Sequence, residues 1–230
     1  MSTRHGIDEY LETIYFLALP IGEYRPHGAE ATIRSARIAE SLGISRASSG
    51  EMLKRIEEEG LIIRGDGKEI ILTAKGRAAA EHAVRRHRII ERLLTDFMGY
   101  SPQETHEQAE IIGPSITDDM IERIMKKLGN PERCPHGWPI DPKTEQKENA
   151  NLIALSQMNP NDEGTIMRIA EQDDSIMDWC YEHNLVPGIE VTVKKVISGA
   201  DMMTLQIGDN QQNVSAKIAD ALYLSQTVLK

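Results

Sequence analysis

Phenylalanine, tryptophan and cysteine are scarce in this 230-residue chain, which holds two of each. Its cores must therefore be built from Ile, Leu, Val and Met. Cys134 and Cys180 lie far apart and form no CxxC, which argues for a reducing compartment. The opening MSTRHGIDEY has no apolar signal core. No run approaches the roughly 20 apolar residues that span a bilayer. The expectation is a soluble, cytoplasmic protein with no membrane partner. An excess of positive charge is missing too, since the net charge is −10. The deficit is local: residues 1–100 hold 15 Lys and Arg against 15 Asp and Glu, and the remainder holds 11 against 21. An acidic C-terminal half behind a neutral N-terminal half does not exclude nucleic-acid binding.

At this length two or three small domains are expected. Residues 7–19 carry apolar residues at helical spacing. A polar loop rich in Pro and Gly follows, then the helix IRSARIAESL, which stops at Gly43 as a C′ residue would. Ser45 can cap a third helix, RASSGEMLKRIEEE. Two short helices joined by a tight turn containing Gly form a helix-turn-helix pattern. Ala39, Gly43 and Ile44 fall where a close helix crossing needs small or apolar residues. LIIRGDGKEIILT then reads as a hairpin, or wing, around Gly-Asp-Gly. Thr73 can cap a long helix reaching about Met98. Another helix begins near Gln103, meets Gly113-Pro114 and restarts at Thr117. The stretch NPERCPHGWPIDPKTEQ is too rich in Pro for regular structure, and a short helical patch follows near 148–157. Beyond it, GTIMRIAE, IEVTVKKVI and MMTLQIG alternate like strands, with a helix near 174–184.

The boundaries expected are a winged helix-turn-helix domain at 1–73, a helical metal-binding and dimerisation domain at 74–150, a linker at 151–160 and a small β-barrel at 161–230. The fold class is mainly α with β.

Metal chemistry is suggested by two repeated spacings. His87 and Glu91 stand four apart on one helix, and His106 and Glu110 repeat that spacing on the next, so each pair projects from one helix face. Mixed nitrogen and oxygen donors suit Fe²⁺, Mn²⁺, Co²⁺, Ni²⁺ or Zn²⁺ better than Ca²⁺. Glu9 and Glu12 form an acidic pair on helix one, a spacing that an ordinary solvated face also gives. Cys134-Pro135-His136 offers further donors. A structural zinc site needs about four ligands and no second Cys/His pair lies near, so this segment reads as a Pro-rich loop.

The segments DEYLETIY, RIAESLGIS, LTAKGR after the wing, VRRHRIIERLLTDFMG, THEQAE and CPHGWPI resemble the iron-dependent repressor family typified by the diphtheria toxin repressor, together with its manganese-responsive relatives. The most specific anchor is HRIIERLLTD with a histidine 15 residues after its Glu. The resemblance covers nearly the whole chain. It implies a homodimer that binds palindromic double-stranded operator DNA when loaded with Fe²⁺, or else Mn²⁺, and a C-terminal domain of SH3-like (FeoA-like) fold. It also implies a first metal site from His87, Glu91 and His106, completed from the C-terminal domain. There Asp173 stands in place of a family Glu and Ile176 in place of a Gln, with Asp174 or water as substitute. A second family site maps onto Glu9, Glu12 and Glu110, but Gly113 and Pro114 occupy two ligand positions, so the set would be all-carboxylate. In the DNA-reading helix the contact positions are Ser45, Arg46, Ala47, Ser48 and Glu51, with Glu51 replacing a Gln. Arg34, Arg37, Arg55 and Arg64 are the expected phosphate contacts.

Two rival readings have their own signatures. A metalloenzyme would need an HExxH or a nucleophile with its base, and neither is evident, so no enzyme is expected. A metal-independent winged-helix regulator sensing a small molecule would keep operator affinity after chelation.

Overall fold

The computed structural model describes residues 6–30, 32–170 and 173–226. Helix α1 (Ile7–Ala18) is buried along its length from Tyr10 to Leu17. It centres a core that includes Ile38, Leu53, Ile56, Ile62, Ile70 and Val84. Helices α2 (Ser35–Ser41) and α3 (Arg46–Glu58) are joined through Gly43 at φ +62°, a conformation L side chains rarely adopt. Ser45 caps α3 by accepting the Ser48 N–H at 3.1 Å. Helix α3 buries only Ser49, Leu53 and Ile56, an i, i+4, i+7 stripe. Burying a side chain such as Leu53 contributes roughly 1.5–3 kcal/mol. The wing is an antiparallel pair, β1 (Ile62–Arg64) and β2 (Ile70–Leu72), with Ile63 opposite Ile71.

Helix α4 (Ala74–Leu93) opens on Thr73, whose hydroxyl accepts the Gly76 N–H at 3.0 Å. It widens into a π turn over Leu94–Met98 and stops at Gly99. Helix α5 (Pro102–Ile112) leads through a 3-10 turn at Gly113–Ser115 to α6 (Asp118–Lys127). Thr117 caps α6, with acids in its first turn and lysines in its last, matching the helix dipole. These boundaries are close to those expected from the sequence.

The Pro-rich stretch is more ordered than its composition suggests. Arg133 and Pro139 pair across a tight turn, the Cys134 N–H bonds the Trp138 carbonyl at 2.8 Å, and Trp138 is fully buried. Gly137 sits at φ +87°, and a Cβ there would lie 2.0 Å from the Met167 carbonyl oxygen, so only Gly lets this turn seat on the next domain. The expected helical patch is shorter and earlier: α7 (Glu145–Asn149) ends before strand β3 (Leu152–Ala154).

β4 (Glu163–Ile169), α8 (Asp174–Glu182), β5 (Glu190–Ile197), β6 (Met202–Ile207), β7 (Asn210–Ser215), α9 (Ala216–Ala221) and β8 (Leu222–Gln226) follow. The strands form one antiparallel sheet in the order β3-β8-β4-β5-β6-β7. Register shifts at Ile166/Arg168 and Val193/Lys195 let it curl in SH3-like fashion. The segment expected as a linker carries β3, and its Leu155 and Met158 are buried in this sheet's core. Strand β7 shows no apolar alternation, since NQQNVS is almost wholly polar; it is held by pairing with β6 along six residues.

Candidate metal centre and nucleic-acid interface

One carboxylate organises the candidate metal centre. Glu91 on α4 is fully buried. Its Oε1 lies 3.2 Å from His87 Nε2, 3.6 Å from His106 Nδ1 and 3.4 Å from His136 Nδ1. His87 Nε2 is also 3.0 Å from His106 Nδ1, and the Tyr24 hydroxyl bonds His106 Nε2. The turn after α4 brings α5 alongside it, which is how the two i, i+4 pairs converge as expected.

Burial opposes charge on all these groups, yet their mutual attraction wins. Facing Glu91 and Glu12, His87 is held well above the ordinary imidazole value. Bonds to Glu110 and Glu91 outweigh burial and raise His106 to about 9. His136 rises to about 10 against the Glu91 charge. Glu91 itself is held well below the usual carboxylate range, chiefly by His136 and His87. His87 Nδ1 and Glu91 Oε2 are nevertheless buried without hydrogen-bond partners. A convergent nitrogen and oxygen set with orphaned donor atoms fits a divalent transition ion.

The second expected set also assembles. Glu9, Glu12, Glu110, Gly113 and Pro114 line a cleft of about 20 Å³ together with Asp8, Arg86, Ala109 and His87. A space of that size holds one water or ion. The cleft is not all-carboxylate as the sequence implied, because His87 Nδ1 stands 3.6 Å from Glu12. His87 therefore faces both donor sets.

Asp173 does not join them. It caps α8 through the Ser175 N–H and pairs with Lys217 at 2.8 Å; these bonds hold it down to about 2. Among the described residues, the donor groups close enough to share an ion near Glu91 exclude it. Ile176, at the expected Gln position, is buried in the β-sheet core. The Asp174 side chain lies outside the described residues. Three residues set aside or missed in the sequence stand there instead: Glu23, Cys134 and His136, all buried near Glu91. Burial pushes the Cys134 thiol up to about 11. The signal available was the Cys-Pro-His triplet, but its partner lies more than 40 residues away.

The reading face has a separate geometry. Ser45, Arg46, Ala47, Ser48, Glu51 and Arg55 are exposed on α3, and Arg34 and Arg64 flank them, also exposed. Arg37 is half-buried and donates to the Glu30 carbonyl at 3.3 Å. Arg55 and Arg64 pair with Glu59 and Glu57, surface contacts of about 0–1 kcal/mol that phosphates can displace.

Comparison with known proteins matches three successive segments of the chain. Residues 3–67 match the model of an iron dependent repressor N-terminal DNA binding domain. Residues 73–142 match an iron dependent repressor metal binding and dimerisation domain, and 153–226 match a FeoA domain. The iron-dependent repressor IdeR of Mycobacterium tuberculosis is 30% identical over 202 residues, 83% of this chain and 84% of that protein. The diphtheria toxin repressor of Corynebacterium diphtheriae is 34% identical over 131 residues, 57% of this chain and 54% of that one. The structure of a manganese-dependent transcriptional repressor in complex with manganese superposes with TM-score 0.83 at 25% identity, over 96% of this chain and all of the other. With these domains in this order and donors gathered around Glu91, the chain belongs to the iron-dependent repressor family.

Proposed function

We propose that this chain is a metal-dependent transcriptional repressor of the cytoplasm that binds a palindromic operator as a homodimer when loaded with Fe²⁺ or Mn²⁺, and so controls metal-homeostasis genes. The observation that carries this reading is the position of His87. It sits on the helix that follows the wing and lies between Glu91 behind it and Glu12 of α1 in front. Asp8 and Arg86 add a 2.5 Å ion pair across the same helix contact. Helix α1 is in turn the centre of the core on which α2 and α3 pack.

The ion would supply positive charge that lets carboxylates and neutral imidazoles share one buried space. Within the chain, Glu9, Glu12 and His87 hold α1 against α4, while Glu110 and His106 hold α5. The reading helix is thereby fixed relative to the dimer-forming helices. A 100-fold preference for the competent arrangement biases it by about 2.7 kcal/mol, enough for a switch. Phe97, Met98, Ile111 and Met120 are exposed large apolar side chains on the helical domain and supply material for a dimer face.

Anaerobic titration of operator binding with Fe²⁺, Mn²⁺ and Zn²⁺ tests the reading. Binding should appear with metal and vanish on chelation. Affinity retained after chelation would instead indicate a metal-independent regulator.

A further inference from the structure

The segment joining α1 to α2 folds back under the last turns of α1. A Cβ at Gly22 would lie 1.9 Å from the Phe16 carbonyl oxygen, so only Gly lets the chain pass there. The Arg25 N–H bonds the Gly22 carbonyl at 2.9 Å, closing a four-residue turn, and the Arg25 side chain donates to the Leu19 carbonyl at 3.0 Å. Tyr24, third in that turn, is driven inward to 7% exposure. Its ring packs edge-on against Phe16, with centres 4.9 Å apart, and lies 5.6 Å from the His106 ring. Phe would serve that packing equally well. The hydroxyl is what needs a partner in so buried a place, and it bonds His106 Nε2.

We propose that Tyr24 is a positioning residue of the metal centre: its hydroxyl accepts the Nε2 proton of His106, presents Nδ1 to the ion, and so ties the ion to the segment that carries the reading head. This deepens the metal-sensing reading and rests on it.

The two edges of the His106 ring differ chemically. Nδ1 faces His87 Nε2 at 3.0 Å and Glu91 Oε1 at 3.6 Å. Nε2 faces oxygen, the Tyr24 hydroxyl and Glu110 Oε1 at 3.4 Å. An ionised carboxylate can only accept, so the proton belongs on Nε2 and the lone pair on Nδ1. Burial, with Glu110 and Glu23 adding to it, holds the Tyr24 phenol well above its ordinary value and therefore neutral. Metal-bound imidazoles generally donate their other N–H to an oxygen, which fixes the tautomer and the ring orientation. Here that oxygen arrives from a distant part of the chain. Beyond Tyr24, the His27 N–H bonds the Asp220 carbonyl of α9 at 2.8 Å, and the Ile33 carbonyl accepts the Ile70 N–H of β2 at 2.8 Å. The segment thus touches the C-terminal domain and the wing, and Tyr24 joins it to His106 on α5.

Co²⁺ titration of the full chain, followed anaerobically by ligand-field absorbance, tests this. Tyr24→Phe keeps the ring and should bind Co²⁺ about 10-fold more weakly. His106→Ala should also weaken binding, and adding Tyr24→Phe to it should change nothing further, because the hydroxyl acts through His106. Equal affinities for wild type and Tyr24→Phe overturn the proposal. An additive loss in the double variant overturns it too, since general loosening of the packing gives that result. Should Tyr24→Phe fail to fold, the wild type decides. In the Zn²⁺-loaded chain, imidazole nitrogen NMR shifts should show His106 protonated at Nε2 and ligating through Nδ1; the opposite tautomer overturns the proposal. Metal-dependent operator binding alongside equal Co²⁺ affinities would leave the repressor reading standing without this role for Tyr24. The reduced, non-additive affinity together with metal-independent operator binding would do the reverse.

Discussion

At the scale of the residue, His87 and Arg88 are neighbours on α4 with different work. His87 looks toward both donor sets, so its loss removes a ligand from each. His87→Ala should weaken metal-dependent operator binding by at least about 100-fold, the upper range for losing even a supporting metal contact. A normal metal response in that variant, measured by operator mobility shift with and without Fe²⁺, would remove His87 from the centre. Arg88 points the other way, fully buried, bonding Glu145, Glu23 and the Pro139 carbonyl. Burial holds the Glu145 carboxyl above its ordinary range despite Arg88. The pair is therefore a costly one whose value lies in mutual compensation. Arg88→Met should lower unfolding free energy by about 3–5 kcal/mol, because it strands buried carboxylates. Combining it with Glu145→Leu should recover part of that loss. Urea midpoints decide the matter: a loss under 1 kcal/mol for Arg88→Met would mean water reaches the pair.

Elements were legible where local chemistry dictates them. Ser45 and Thr73 read as caps from the sequence, and each accepts a backbone N–H at the first turn of its helix; Thr117, where a helix was expected to restart, does the same. The i, i+4 pairs on α4 and α5 were visible for the same reason: helical periodicity is local. Strands β3 and β7 were not legible, since a three-residue edge and a polar run acquire strand character only from the neighbour they pair with. The Cys134–Trp138 turn fails the same way, because its order comes from docking on β4. Thr73 permits a clean test of the local part. Its hydroxyl caps α4 and also reaches the Gly60 carbonyl at 2.7 Å, joining helix to wing. Thr73→Ala should cost about 1 kcal/mol, seen as a melting temperature a few degrees lower. Metal stoichiometry should be unchanged, whereas a lost equivalent would show that the cap also positions the ligands.

For the whole molecule, the question is what keeps three units in register, and there the sequence was least informative. Asp173 was expected to bring the β domain to the metal; it is occupied with Ser175 and Lys217 instead. The junction runs through Glu148 of α7. Its carboxylate meets Arg133, at the root of the Cys134–His136 turn, at 2.6 Å, and Arg168 of β4 at 2.5 Å. Arg168 lies 4.9 Å from the ring centre of the buried Trp138. No spacing rule links residues 133, 148 and 168, so only the folded chain reveals the pairing. Partial burial opposes ionisation of Glu148, but bonds to Arg168 and then Arg133 prevail and lower its pKa. A carboxyl lowered in the folded state stabilises fully above its unfolded value, about 4.3, and that contribution fades as pH falls through the folded value. Wild type should therefore lose stability below pH 4 more steeply than Glu148→Gln, with the two curves converging in acid. Near neutrality the variant should be weaker by on the order of 1 kcal/mol. Denaturant midpoints taken from neutral pH down to pH 3 measure this, and parallel curves for the two proteins would show that the junction is held by Trp138 packing rather than by charge.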